Sequence, residues 1–363
     1  MRTNVQMPVV VAALLLYAAF ASVFFFSYGL PSLNGEIPQQ MYADTLTYET
    51  AALNWGEENE LVAIDGNYLG PVTVLALFDH NRILVHAFNL ILLVVSVAVA
   101  LSRLEVNRTV FLLAFLSSPL LLFSTIGVNK EIFLVPLSLF LAVYMREQRL
   151  RWLLLSLVFA VLARWQLMVF VVALYMVNLP FNPLRGRRFR LLIMLLAAIT
   201  VAYPILASGL LEAVEAISIE GGMQESGSAS GIYPLMQSIQ RSYGYFLVVV
   251  PKALQLLFGY LTRFSLEGIS EDFWNAFVIM SQSAHNLLLL VLCLVLRKRR
   301  LANDMFFLIC MFSIIFATTP VFGPRYFFPV GIWLALWLAQ TTEAKADGAR
   351  TMQPPLGTGA SHA

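Results

Sequence analysis

Long apolar runs recur along this chain, and they limit its fold more than any other feature of the sequence. Clear runs lie at about 8–28, 81–101, 108–125, 131–145, 190–208, 277–296, 303–320 and 325–340. Most of them approach the ~20 residues that one helix needs to cross a bilayer. Only 12% of the 363 residues are charged, whereas soluble proteins carry roughly 25%. A water-soluble enzyme is therefore excluded.

The basic residues divide unevenly between the two sides that these runs define. Of the 23 Lys and Arg, 16 fall on one side and 7 on the other, whereas 16 of the 21 Asp and Glu lie with the smaller basic group. Basic loop residues are usually cytoplasmic. The split predicts an all-α polytopic membrane protein with about ten transmembrane helices and both termini in the cytoplasm.

The stretch 152–179 is predicted to enter the membrane and return to the same side. Basic clusters flank it at both ends, and its one strongly polar break is Ala163-Arg164-Trp165-Gln166. Two helices of roughly 13 residues cover about 20 Å each, which is less than a bilayer. We expect a thin hairpin with Arg164 at its tip. The same rule predicts that 243–260 lies at the exterior interface or is partly re-entrant, with Lys252 near the lipid head groups.

These assignments give one integral membrane domain over residues 1–340. Its large exterior loops are expected at about 29–80 and 209–276, and the second of these is rich in Gly and Ser near residue 225. The polar tail 341–363 is predicted to be disordered and cytoplasmic.

Two exterior segments carry candidate acids. Asp44 follows the first helix, and helical spacing would place Tyr48 on the same face, next to Glu49. An exterior carboxylate can accept a proton from a sugar hydroxyl and so activate it. Lys130 and Glu131 begin a later helix, with Lys130 suited to a phosphate and Glu131 to a second acidic role. A solvated helix start and an interfacial ion pair are the simpler readings of these two segments.

The exterior cations suggest a phosphate ligand. Arg164 and Gln166 lie at the hairpin tip, Arg241 precedes an apolar stretch, and Arg325-Tyr326 opens the last helix. Arginine can grip a phosphate with two hydrogen bonds. Ordinary packing of Arg164 and an aromatic belt at Tyr326 are the alternatives.

The order of these motifs resembles that of the GT-C superfamily of membrane glycosyltransferases. The likeness covers roughly residues 8–180, including the segment from Asn67 to Asn89, and a short motif at 320–335. It implies a polyprenyl-linked sugar donor, a glycan or lipid acceptor, and a site facing the periplasm of a bacterial cytoplasmic membrane. It also implies that Asp44 is the catalytic base and that Arg164 and Arg325 hold the lipid phosphate. Lys130 before Glu131 departs from the family pattern.

Other functions remain alternatives at this stage. An O-antigen-type polymerase joining lipid-linked repeat units is the nearest, although 209–240 holds acids and no basic residue. A non-catalytic transporter of lipid-linked glycans is the second. No Asp-x-Asp pair stands in the first loop, so we predict metal-independent transfer with no cofactor, with a divalent metal as the alternative. The sequence predicts membrane lipids, and no nucleic acid, as further partners.

Overall fold

The structure is a computed structural model, and it describes residues 6–28, 30, 45–53, 68–207, 232–259, 273–297, 303–319 and 324–341. Within these ranges the chain is helical and has no strand, apart from one isolated bridge between Val106 and Gln340. The all-α prediction is therefore confirmed for the described residues. Most of both expected exterior loops and nearly all of the tail lie outside these ranges.

Fifteen α-helices follow one another in the described ranges. The first seven are α1 (Gln6–Ser27), α2 (Thr45–Leu53), α3 (Leu69–Leu77), α4 (Arg82–Arg103), α5 (Arg108–Leu116), α6 (Pro119–Ile126) and α7 (Leu134–Glu147). The next four are α8 (Leu150–Ala163), α9 (Gln166–Asn178), α10 (Arg188–Ala207) and α11 (Ile232–Ile239). The last four are α12 (Tyr245–Phe258), α13 (Phe273–Leu296), α14 (Asp304–Phe316) and α15 (Phe328–Ala339). Short 3-10 turns, Lys130–Phe133 and Pro324–Phe327, precede α7 and α15.

Four of the described helices are long and apolar enough to cross a membrane. They are α1, α4, α10 and α13, and the bent pair of α5 and α6 makes a fifth if it forms one span. The helices α8, α9, α14 and α15 are apolar but shorter. These lengths fit an integral membrane protein, whereas the count of about ten spans is not confirmed.

The expected span at 108–125 is not one straight helix, because α5 and α6 meet at an angle of 70°. The break lies at Ser117 and Ser118, directly before Pro119. Proline has no N–H to donate and its ring clashes with a continuing helix. The Gln282 Oε1 atom accepts hydrogen bonds from Ser118 Oγ at 2.9 Å and from the Leu120 N–H at 3.0 Å. A neighbouring helix thus satisfies the polar groups that the break exposes.

The predicted hairpin is present, formed by α8 and α9 with Arg164 and Trp165 between them. The far end of α9 returns to the end of α7, where Asn178 Nδ2 lies 3.7 Å from Met145 Sδ. The two helices have 14 and 13 residues, so each is about 20 Å long. Each helix of the hairpin is therefore roughly 10 Å shorter than a 30 Å hydrocarbon layer.

Ion pairs and backbone contacts gather at the opposite end of the bundle, which we call the basic end. Arg146 pairs with Glu105 at 2.5 Å, and Arg188 pairs with Asp304 at 2.5 Å. The Thr341 Oγ1 atom donates to the Glu105 carbonyl at 3.4 Å. The helices α4, α7 and α15 all end here, so their starts define the other end, which we call the site end.

Two helices form the centre of the bundle, namely α7 and α15. Nearly every residue of α7 and all of α15 are buried. They contact each other directly, and the Trp333 indole N–H donates to the Ser138 carbonyl at 3.0 Å. In the turns that precede these helices, Glu131 is fully buried and Tyr326 is partly buried.

The segment 232–258 is also more deeply buried than predicted. A π-helical stretch, Gln240–Gly244, separates α11 from α12. Lys252 is fully buried, and its Nζ donates to Gln240 Oε1 at 2.6 Å. The expectation that Lys252 lies among head groups is wrong, because other helices cover this face of α12.

Candidate functional site

A buried ion pair lies at the tip of the hairpin. The Arg164 Nη2 atom donates to Glu131 Oε1 at 2.9 Å. The Glu131 side chain is 0% exposed and that of Arg164 is 9% exposed. Burying either charge alone would carry a large desolvation cost, so each requires the other. Two residues predicted separately from the sequence are thus direct partners.

The motif at the start of the last helix reaches the same point. The Arg164 guanidinium carbon lies 3.9 Å from the centre of the Tyr326 ring, and that of Arg325 lies 5.5 Å from it. Aromatic faces carry partial negative charge and attract cations. Two arginines from distant parts of the chain therefore lie beside the Tyr326 ring.

Lys130 adds a third cation beside two more aromatic rings. Its Nζ lies 5.8 Å from the Tyr48 ring centre and 5.7 Å from that of Tyr68. The two rings meet edge to face with their centres 5.3 Å apart. Tyr48 is fully buried, so helix α2 is anchored against the turn that carries Lys130.

Helix α3 packs very closely against the hairpin, beside the buried ion pair. A side chain at Gly70 would meet the Leu162 carbonyl oxygen at 2.2 Å and the Phe133 ring at 2.6 Å. Only glycine allows the two backbones to lie this close. Helix α3 therefore rests on the last turn of α8, directly before Arg164.

Polar side chains of helix α4 hold the segment that leads to Lys130 and Glu131. The Asn89 Nδ2 atom donates to the carbonyls of Thr125 at 3.3 Å and Gly127 at 3.0 Å. The His86 Nδ1 atom lies 2.9 Å from the Thr125 carbonyl. These carbonyls end α6 and would otherwise have no helical partner. Asn89 and His86 are thus positioning residues for the turn.

The predicted base Asp44 lies outside the described residues. Its neighbour Thr45 is buried and donates from Oγ1 to the Val128 carbonyl at 3.2 Å. Val128 is two residues before Lys130. The start of α2 is therefore attached to the segment that leads to the buried ion pair.

Three other predicted site residues have different surroundings. Glu49 accepts two hydrogen bonds from Arg82, at 2.6 Å from Nε and 2.5 Å from Nη2. Arg241 is exposed in the π-helical stretch, beside α10, α11 and α12. Gln166 lies at the start of α9, partly buried and two residues after Arg164.

Three buried polar atoms at or beside the hairpin tip have no hydrogen-bond partner among the described residues. They are Glu131 Oε2, Arg164 Nε and Gln166 Oε1. More than nine in ten buried polar groups in proteins are hydrogen-bonded. Two of these exceptions belong to the buried ion pair and the third lies two residues after Arg164, which suggests that a ligand completes them.

The described residues contain no group of three or more His, Cys, Asp or Glu side chains that could hold a metal ion. Six acids of the first exterior loop are outside these ranges, namely Glu36, Asp44, Glu57, Glu58, Glu60 and Asp65. Metal independence therefore stays a prediction.

Sequence reasoning did not single out Tyr68 as a site residue or Gly70 as a packing residue. Both belong to the segment from Asn67 to Asn89, which was noted only for its family likeness. Asn89 and His86 bond to carbonyls at the end of α6 and so join α4 to it. Only the fold shows that these bonds support Lys130 and Glu131.

Comparison of the chain with known protein families, with curated proteins and with solved structures gives no match.

Proposed function

We propose that this chain is a membrane glycosyltransferase. It would transfer a sugar from a polyprenyl-phosphate or polyprenyl-diphosphate donor to a glycan or lipid acceptor. The observation that carries the proposal is the meeting of Lys130, Arg164 and Arg325 around Glu131 and Tyr326 at one end of an apolar helical bundle. A lipid with a phosphorylated head group fits such a place, because its phosphate can contact the cations and its apolar chain can lie along the bundle.

The cations would act on the leaving group. Breaking the bond between the sugar and the phosphate leaves negative charge on the lipid phosphate. Fixed cations in a place with little water stabilise such charge more strongly than water does. Arg325 and Lys130 are assigned this role, because Glu131 already offsets the charge of Arg164.

Transfer also needs a base for the acceptor hydroxyl. Asp44 is the candidate, because Thr45 directly after it is bonded to the segment that ends at Lys130. Glu131 is less suited to this role, since its carboxylate is already paired with Arg164. We therefore assign Asp44 as the base and Glu131 to binding.

The orientation follows from the two ends of the bundle. Arginines cluster at the basic end, which we assign to the cytoplasm together with both termini. The site end then faces the exterior, which is the periplasm if the membrane is bacterial.

The proposal is tested in cells that lack the chain and are supplied with variants of it. We expect Asp44→Asn to abolish the surface glycan while the protein remains folded in the membrane. Asp79→Asn is the matched control, because Asp79 is exposed and its positive φ of 48° suits asparagine. Undiminished glycan with Asp44→Asn would contradict the assignment of Asp44 as the base.

The products separate the two enzymatic alternatives. A single added sugar supports the transferase, whereas a ladder that grows by whole repeat units supports the O-antigen-type polymerase. A transporter would form no new glycosidic bond. Cysteine labelling at Ser226 tests the orientation, since an impermeant reagent should react there from outside.

A further inference from the structure

The unpartnered atoms at the hairpin tip differ chemically from a phosphate site. Glu131 Oε2 and Gln166 Oε1 accept hydrogen bonds, and Arg164 Nε donates one. An ionised phosphate offers only acceptors, and Glu131 would repel it. A neutral group that both donates and accepts satisfies all three atoms.

We propose that Glu131, Arg164 and Gln166 form a subsite for the hydroxyl groups of a sugar ring. A hydroxyl would donate to Glu131 Oε2 and accept from Arg164 Nε, and a second hydroxyl would donate to Gln166 Oε1. This rests on the proposed function and divides its site in two, because the phosphate is left to Lys130 and Arg325.

The burial of the ion pair supports this division. Glu131 neutralises Arg164 inside the protein, with their charged groups 2.9 Å apart. A neutral pair is poorly suited to attracting an anion, but its remaining hydrogen-bonding atoms are rigidly held. Rigid and desolvated polar groups discriminate strongly among hydroxyl-bearing ligands, since a missing hydroxyl leaves them unpaired.

Unpartnered buried atoms also occur elsewhere in the described ranges, for example at Gln237 in α11 and Trp337 in α15. These lie on separate helices. Among the described residues, the hairpin tip differs because two of its unpartnered atoms belong to one ion pair. The third belongs to Gln166, two residues after Arg164.

The sugar belongs either to the lipid-linked donor or to the acceptor, and lipid binding distinguishes the two. The purified protein in nanodiscs is titrated with polyprenyl phosphate and with the same lipid bearing a sugar. If the donor's sugar fills the subsite, Glu131→Gln weakens binding of the sugar-bearing lipid about tenfold or more, because a bond to a charged acceptor is lost. Binding of the bare lipid stays unchanged.

Gln166→Met provides a second variant that leaves the Glu131–Arg164 pair intact. The loss of one neutral hydrogen bond predicts about 2–10-fold weaker binding of the sugar-bearing lipid and unchanged binding of the bare lipid. Arg325→Gln should weaken both lipids equally. Glu147→Gln, a carboxylate paired with arginines at the basic end, is the matched control and should change neither.

Each outcome has a distinct meaning. If Glu131→Gln and Gln166→Met leave both lipids unchanged but raise the KM for the acceptor, the subsite holds the acceptor's sugar. The subsite would be overturned if these variants weakened binding of both lipids equally. It would also be overturned if they changed neither lipid binding nor the KM for the acceptor. If the unaltered protein binds neither lipid, the proposed function itself fails.

Discussion

The two ends of the bundle both pair arginine with glutamate, but in opposite ways. At the basic end, Glu147 lies 3.6–3.7 Å from Arg103, Arg149 and Arg151, whose side chains are 44–60% exposed. At the site end, Glu131 meets one arginine at 2.9 Å and is 0% exposed. The same chemistry is thus in water at one end and inside the protein at the other.

The difference indicates which end the protein uses for binding. Exposed pairs contribute little stability, because water and salt screen them. A buried pair costs desolvation that its attraction only roughly offsets, so stability alone is a weak reason to keep one. The basic end fits an orienting surface, whereas the pair at the site end calls for a functional reason.

The largest expected effect comes from removing one partner of the buried pair. Arg164→Leu leaves Glu131 buried and uncompensated, which predicts a loss of about 3–5 kcal/mol in the free energy of unfolding. Sugar transfer should fall below detection. Unfolding in mixed micelles measures the first quantity, and a stability equal to the unaltered protein would show that the pair is solvated.

The double variant Arg164→Leu with Glu131→Leu sharpens the comparison. Replacing both charges by apolar groups of similar volume is often neutral or stabilising. We expect most of the lost stability to return while transfer stays absent. Recovery of transfer in the double variant would show that the pair serves the fold alone.

A smaller loss of folding stability is expected at the Glu49–Arg82 pair, which is intermediate in burial. Glu49 and Arg82 are 17% and 15% exposed and share two hydrogen bonds. Glu49→Gln should cost about 1–3 kcal/mol, because Arg82 keeps only part of its bonding. Unfolding in the same micelles checks this, and a loss larger than that of Arg164→Leu would reverse the expected ranking.

The smallest effect is expected at the basic end. The indole N–H of Trp152 lowers the pKa of Glu147, partial burial opposes this, and Arg149, Arg103 and Arg151 lower it further. Stability from a lowered pKa is present at neutral pH and lost as the pH falls through the folded pKa. Glu147→Gln should therefore lose less stability on acidification than the unaltered protein and retain full transfer. Thermal midpoints measured across pH test this, and parallel curves would contradict it.

The sequence predicted the residues of the site better than it predicted the path of the chain. Glu131, Arg164 and Tyr326 were selected from three separate motifs, because charged or phenolic groups in apolar surroundings are conspicuous. Their direct contact could not be predicted, since it depends on how α7, α8 and α15 pack.

The errors in the path of the chain also have physical causes. Hydropathy averages over a window, so the apolar run 108–125 gave no sign of the 70° bend that lies before Pro119. Lys252 was placed at the exterior interface because a full span at 243–260 would have put the basic cluster 297–300 on the exterior side. Its bond to Gln240, twelve residues earlier, depends on the π-helical break between α11 and α12.

The most direct measurement is sugar transfer by the purified protein in nanodiscs, using a synthetic polyprenyl-linked donor with a radiolabelled sugar. The proposed site predicts labelled product and released lipid phosphate from the unaltered protein and from Glu147→Gln, and neither from Arg164→Leu or Arg325→Gln. Equal product from all four folded proteins would contradict a catalytic site at the hairpin tip.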